Sequence, residues 1–291
     1  QMGTRSIHTR RLWDVDWQFL HQELTIHLFD SVVELLHRWF THKRAAIIGH
    51  ELCGKTILPR RDLLLAGNAL DGKALEAVHL ASVLDNLREV FDPGMKIVAF
   101  QNGLGPEDLV ADKFGQASAL RMSLNYGASL KRAGEVEVTF FNRPNHLGSL
   151  SANKNEHGTR IAKQLTDCGM DTEFVDDIRL FVWKKMVMKC TMASICAVTD
   201  KTIKEALEYP PTREIADACF KEALATAGAM GYDLSENYLE QALGYLQKVG
   251  IHKDSMCNDI SNRTPTEIDF LGAKVVAYAR ARGISTPFFV T

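Results

Sequence analysis

Two lysines interrupt a segment that is otherwise largely apolar, from Phe181 to Met188. A lysine near the apolar side of a helix is costly to bury unless it is paired or used for proton transfer. Lys185 fits that description, whereas Lys184 is interpreted as a solvated lysine. Lys189 follows Lys185 by four residues and therefore lies on the same helix face. Lys185 is thus a candidate proton donor.

Polar residues and glycines follow the strongest predicted strand, in the segment Gln101-Asn102-Gly103-Leu104-Gly105-Pro106. Ligands of open α/β sheets bind beyond the carboxyl ends of the strands. Two glycines there would let the backbone approach a ligand closely. An ordinary tight turn is the alternative, and we favour the binding site.

The densest polar segment runs from Ser255 to Asp269. We expect a loop that enters a helix at Thr266, which places Glu267 in the first helical turn. On these residues alone, simple capping by Glu267 and Asp269 at the positive helix end is the better interpretation.

Residues 49–56 match the phosphate-loop pattern G-x-x-x-x-G-K-[ST], with Lys55 and Thr56 in the phosphate and Mg²⁺ positions. Pro59 falls inside the helix that this loop requires, and Glu51 would repel a phosphate. A nucleoside triphosphatase is therefore disfavoured. A G-x-G-x-x-G dinucleotide fingerprint is absent from the sequence.

Hydrophobic patterning predicts which elements carry these segments. Leu20 to Trp39 reads as an amphipathic helix. Short apolar runs and helical periodicity then predict strands over 45–48, 63–66, 97–100, 119–124, 136–141 and 172–175, with helices over 75–90 and 156–166. Beyond Asp177 only helices are expected, beginning at Asp177, Pro210, Ser235 and Thr266.

This order predicts an α/β fold with a Rossmann-like parallel sheet, followed by an all-helical C-terminal domain. The boundary is placed at 176, giving a domain over 1–176 and a helical substrate or dimerisation domain over 177–291. Residues 1–70 are atypical, because they hold a helix rich in Trp and His instead of a strand and a glycine turn. An incomplete or rearranged N-terminal part is expected.

Composition narrows the class of protein. The 291 residues carry 34 Lys and Arg against 36 Asp and Glu, a net charge of −2, which gives no field for nucleic acid or an anionic membrane. No run is long enough to span a bilayer. Six scattered cysteines without a C-x-x-C pair indicate reduced thiols and a cytoplasmic protein. The histidines keep no ligand spacing, so no metal site is expected.

Three segments taken together resemble the ketopantoate reductase (2-dehydropantoate 2-reductase) family. They are Phe100 to Gly105, Trp183-x-Lys185, and Ser255-Met256 with Asp259 and Thr266-Glu-Ile-Asp269, closing on Gly283 to Pro287. The resemblance covers roughly residues 73–287. It implies a Rossmann domain, a helical domain and a site between them that reduces 2-dehydropantoate to (R)-pantoate with NADPH.

The resemblance also assigns roles to residues. Lys185 would be the general acid, and Glu267 would orient a substrate hydroxyl or the lysine. Ser255 would hold the substrate carboxylate, and Asn102 would contact both the substrate and the nicotinamide ribose of NADP. Lys73 would match a lysine near the cofactor phosphates. Lys189 stands where the family has an asparagine and is taken as substrate-binding.

The sequence leaves open whether the chain is an active enzyme or an inactive homologue. Without a glycine-rich loop, the chain could be an inactive homologue that serves as a binding or dimerisation module. For an active enzyme, the choice between NADPH and NADH, the particular 2-oxo acid and the oligomeric state are not fixed. Broad apolar helix faces favour a homodimer.

Overall fold

A computed structural model describes residues 46–48, 77–88, 91–132, 135–151, 156–235 and 237–290. Four predictions lie outside the described residues: the helix over 20–39, the strand over 63–66, the phosphate-loop pattern over 49–56, and the cofactor contact of Lys73. The five-stranded sheet and the helices packed on it, up to residue 174, are called the sheet region. Residues 178–290 are called the helical region.

The sheet is mixed and has the strand order β1-β2-β3-β6-β7. Its strands are β1 (Ala46–Ile48), β2 (Ile97–Ala99), β3 (Ala119–Ser123), β6 (Asn145–Ser149) and β7 (Thr172–Phe174). β1, β2 and β3 are parallel, and Val98 pairs with Ile47 on one side and Leu120 on the other. β6 runs antiparallel to β3 and parallel to β7.

The predicted parallel sheet is confirmed by these pairs, and β6 is an additional strand that runs antiparallel to β3. Sequence patterning misses this strand because Asn-His-Leu-Gly-Ser has low strand propensity and a single large apolar side chain, Leu147, which is buried. Pairing with β3 and β7 outweighs that local preference.

A hairpin of β4 (Tyr126–Arg132) and β5 (Glu135–Phe141) stands apart as a second, antiparallel sheet. Only its second strand was predicted. At the base of the hairpin the rings of Tyr126 and Phe141 meet edge to face, with centroids 5.9 Å apart. The hairpin projects towards the helical region and contributes to the cavity described below.

Among the described residues, three helices cover the sheet: α1 (Ala77–Leu87), α2 (Pro106–Phe114) and α3 (Glu156–Asp167). α1 buries Leu80 and Leu84 against one face, together with Ile97 of β2. Ile161 of α3 packs on the opposite face. The sequence did not predict α2, which begins with Pro106 and two acidic residues, a favourable start for a helix.

The helical region consists of α4 (Ile178–Thr199), α5 (Ile203–Glu208), α6 (Pro210–Ala229), α7 (Tyr238–Val249), α8 (Ser255–Asn262), α9 (Gly272–Ala281) and α10 (Pro287–Val290). The predicted helix start at Asp177 is confirmed, since its carboxylate accepts hydrogen bonds from the backbone N–H groups of Arg179 and Leu180. α4 is the axis of this region, and its buried side chains form one core with those of α6.

Two predicted helix starts, at Ser235 and Thr266, differ from the structure, and a segment expected to be a loop forms a helix. The helix expected at Ser235 begins at Tyr238, because Ser235 has a positive φ of 59°. Ser255 starts helix α8 instead of lying in a loop. Thr266 does not cap the last long helix, and a 3₁₀ turn over Ile268–Phe270 precedes α9.

None of the described helices is long and apolar enough to cross a bilayer.

Candidate active site

A cavity of about 560 Å³ opens between the sheet, the hairpin and the helical region. Asn102 reaches it from the loop after β2, and Lys185 and Lys189 reach it from α4. These three residues, proposed from separate parts of the sequence, are thus brought to one wall. A volume of this size is typical of a small-molecule site.

Lys185 lies half-buried at this wall, and its Nζ donates a 2.8 Å hydrogen bond to the carbonyl oxygen of Leu124. Burial lowers the pKa of Lys185 from 10.5 to about 7, and the positive charges of Arg121 and Lys189 lower it further, against the opposing pull of Glu267. An amine with this pKa can give up a proton near neutral pH, as a general acid must.

Lys189 lies one turn further along α4, with its side chain 15% exposed. Its Nζ donates hydrogen bonds of 2.8 and 2.7 Å to the two carboxylate oxygens of Asp254, and one of 2.8 Å to Oγ of Ser255. Burial alone would lower the pKa of Lys189, but the Asp254 carboxylate outweighs burial and raises it. Lys189 therefore keeps its proton, in an ion pair with Asp254 at the cavity.

Sequence reasoning missed Asp254, the partner of Lys189. Asp254 also caps α8, since it accepts a 3.0 Å hydrogen bond from the N–H of Met256. The available signal was an aspartate immediately before a segment with helical spacing. Ser255 comes next in the chain and so is held beside the lysine rather than in the cavity wall itself.

Glu267 is buried, with 3% exposure, and one of its carboxylate oxygens accepts a 3.3 Å hydrogen bond from the N–H of Ala77. It lies behind the lysines and is not part of the cavity wall. Burial raises the pKa of Glu267, and the charge of Lys189 opposes that rise. The structure thus brings Glu267 close enough to act on the lysines electrostatically.

The loop that carries Asn102 is fixed against the helical region. The N–H of Leu104 donates a 2.7 Å hydrogen bond to the carbonyl oxygen of Phe270. Gly103 has a φ of +109°, and a Cβ on it would stand only 2.5 Å from the Cβ of Phe270. Glycine is therefore required here by close packing as well as by the backbone conformation.

Arg121 on β3 is a second residue that the sequence analysis missed, although a charged residue inside an apolar strand is an available signal. It is 2% exposed and donates hydrogen bonds to the carbonyl oxygens of Ala99, at 3.2 Å, and Gly103, at 3.0 Å. Its Nε lies 3.2 Å from a carboxylate oxygen of Glu107 on α2. The guanidinium thus ties the loop to the sheet and compensates a buried carboxylate.

The described part of the sheet includes the edge where a dinucleotide binds in doubly wound folds. The carboxyl ends of parallel strands β1 and β2 share this edge. The amide of Asn102, at that edge, can both donate and accept hydrogen bonds. Among the described residues, no cluster of His, Cys, Asp and Glu could hold a metal ion.

An open α/β sheet followed by a helical region, with a lysine pair in the cavity between them, defines a class of two-part α/β proteins with a small-molecule site between the parts. Comparison with protein families narrows the class. The ketopantoate reductase PanE/ApbA model matches residues 74–153, and the model of the C-terminal part of ketopantoate reductase PanE/ApbA matches residues 177–291. The chain belongs to the ketopantoate reductase family.

Individual proteins agree with this assignment. The 2-dehydropantoate 2-reductase of Streptococcus pyogenes serotype M3 is 25% identical over 215 residues, which cover 73% of this chain and 70% of that protein. The crystal structure of 2-dehydropantoate 2-reductase from Geobacter metallireducens GS-15 has a TM-score of 0.69 at 21% identity, covering 85% of this chain and 83% of that one. The structure of D-mandelate dehydrogenase with NADH and anilino(oxo)acetate also has a TM-score of 0.69, at 18% identity, and the match covers 88% of this chain and 90% of that one.

Proposed function

We propose that this protein reduces a branched 2-oxo acid with NADPH, 2-dehydropantoate to (R)-pantoate being the reference reaction, and that Lys185 is the general acid. The observation that carries the proposal is the half-buried amine of Lys185, with a pKa of about 7, in the wall of the cavity. Family membership supports an oxo-acid reductase. The nicotinamide cofactor supplies the hydride when it is bound.

The protein's own residues provide charge and position for this reaction. The carboxylate of the substrate is attracted by Lys189, which Asp254 holds in place together with Ser255. The keto oxygen gains negative charge as its carbon is reduced, and the ammonium group of Lys185 stabilises this charge and transfers its proton. Asn102 is proposed to contact both the substrate and the cofactor, and Glu267 to set the charge state of the lysines from behind.

The cofactor part of the proposal depends on binding. NADP is favoured by the resemblance, and the D-mandelate dehydrogenase of similar fold was solved with NADH, so both cofactors are to be titrated. We also propose the domain division at 176, a cytoplasmic location and a homodimer; mass measurement by light scattering tests the homodimer.

The decisive experiment follows NADPH oxidation in the presence of 2-dehydropantoate, alongside fluorescence titration with NADPH. Lys185→Ala is expected to lower kcat about 10²–10⁴-fold, the range for loss of a general acid. Lys221→Ala, an exposed lysine on α6, is the matched control and is expected to retain activity. A chain that binds neither cofactor, or that oxidises neither with any 2-oxo acid, is instead an inactive homologue.

A further inference from the structure

The lining of the cavity combines two kinds of side chain. Lys185 and Lys189 bring amino groups to it. Seven rings also line it, namely those of Tyr126, Phe140, His146, Phe181, Tyr238, Tyr245 and His252. Such a cavity fits an anion whose carboxylate is joined to an apolar, flat body.

Several polar groups beside these rings form hydrogen bonds within the protein. Tyr238 donates its hydroxyl proton to the carbonyl oxygen of Lys184, and Asn142 donates from Nδ2 to the hydroxyl of Tyr245. Asn125 similarly donates from Nδ2 to the carbonyl oxygen of Pro144, at 2.6 Å. These bonds hold the side chains of Tyr238, Asn142 and Asn125 in place beside the rings.

The rings are also paired before any ligand arrives. His146 and Phe181 stack with centroids 3.9 Å apart and planes 25° from parallel. Phe140 and His252 also stack, with centroids 6.5 Å apart. Burial lowers the pKa of His146, which keeps its imidazole neutral and suited to stacking at neutral pH. A preformed aromatic wall loses little conformational entropy when a further ring packs on it.

Glu267, the residue that the resemblance assigns to a substrate hydroxyl, does not line this cavity. 2-Dehydropantoate carries a hydroxyl group on its side chain, and Glu267, the residue expected to receive it, is set behind the wall and bonded to Ala77. A hydroxyl group that loses water without gaining a partner weakens binding. An apolar ring in the same place gains from burial.

We therefore propose that the preferred substrates are 2-oxo acids with an aryl side chain, bound with the carboxylate at Lys189 and the ring between Phe181 and Phe140. This inference rests on the proposed reductase function for the reaction and changes only the side chain of the substrate. The reaction balances as before: the keto carbon gains a hydride from the reduced nicotinamide, and its oxygen gains the proton of Lys185.

The test compares 3-phenyl-2-oxopropanoate with 2-dehydropantoate and with 3-methyl-2-oxobutanoate, measuring kcat/KM with NADPH and NADH and binding by calorimetry. We expect the phenyl compound to have at least about a tenfold higher kcat/KM. If kcat/KM for the phenyl compound is equal to or lower than that for 2-dehydropantoate, the inference is wrong and the proposed reductase function still holds. Tight binding of the phenyl compound without turnover supports the inference and refutes the proposed reaction. Failure of all three compounds to bind refutes the inference.

A pair of variants tests the wall itself. Phe181→Leu keeps an apolar side chain but removes the ring that stacks on His146. The ratio of phenyl to aliphatic kcat/KM is expected to fall about fivefold, as for loss of an aromatic pair. Phe91→Leu is the matched control, because Phe91 packs on Phe114 beneath the sheet, away from the cavity, and its ratio should stay that of the parent. An unchanged ratio in Phe181→Leu overturns the assignment of the wall.

Discussion

Replacing Lys185 by methionine is expected to stabilise the protein while it abolishes most of its activity. The pKa of the Lys185 amine is 10.5 in its ordinary state and about 7 in the folded protein, chiefly through burial. Between these values the unfolded chain binds more protons than the folded one, so stability rises with pH. The cost of burying the charged amine is thus complete below pH 7 and is lost as the pH approaches 10.5.

The size of this cost follows from the same values. At 1.36 kcal/mol per pKa unit, the fall from 10.5 to about 7 corresponds to at most about 5 kcal/mol. Water reaches the half-buried side chain and reduces this figure, and the hydrogen bond to Leu124 offsets about 1 kcal/mol more. Lys185→Met is therefore expected to raise the free energy of unfolding at pH 6 by about 1–3 kcal/mol, because methionine retains the apolar stem.

Urea denaturation at pH 6 and pH 9.5 measures the free energy of unfolding of Lys185→Met and of the parent protein. The increase in this free energy on substitution should be much smaller at pH 9.5, because the amine of the folded parent is neutral there. Lys221→Met, an exposed position on α6, should change stability by less than about 0.5 kcal/mol at either pH. A Lys185→Met protein that is equally destabilised at both values would show that the amine is not buried at a cost, and the argument for its lowered pKa would fail.

Three further outcomes follow from the charges around the cavity. Lys189→Met removes a positive charge that lowers the pKa of Lys185, so the decline of kcat/KM at high pH should move up by about 0.5–1 pH unit. Glu267→Gln removes a negative charge that raises the pKa of Lys185, so the decline of kcat/KM should move to lower pH. The pH–rate profiles of both variants measure these shifts. Movement in the same direction in both variants would contradict the assignment of the decline to Lys185. Arg121→Met leaves the Glu107 carboxylate buried without its cation and should lower the free energy of unfolding by about 3–5 kcal/mol in urea, and Glu107→Gln in the same chain should recover part of it.

The sequence predicted the elements that are stabilised by contacts between residues close together in the chain. The start of α4 at Asp177 could be predicted because one side chain caps two backbone N–H groups within three residues. The position of Lys185 on that helix followed from spacing alone. Strand β6 could not be predicted in this way, because its pairing with β3 and β7 overrides the preference of its own residues.

The partners of the site residues were missed for a related reason. Asp254 lies 65 residues from Lys189, and Ala77 lies 190 residues from Glu267. Nothing in the neighbourhood of either residue encodes such a contact, which exists only once the helical region has packed on the sheet region. The residue types predicted at the site were informative, whereas their hydrogen bonds depended on the complete fold.

The contacts around Phe270 fix the loop that carries Asn102 to the helical region. The N–H of Leu104 donates to the carbonyl oxygen of Phe270, the N–H of Ala77 donates to Glu267, and Gly103 leaves no room even for a methyl group. Any side chain at Gly103 would therefore push this loop away from Phe270. Asn102 would be displaced with it, so the shape of the cavity depends on the absence of a side chain at a residue that does not line it.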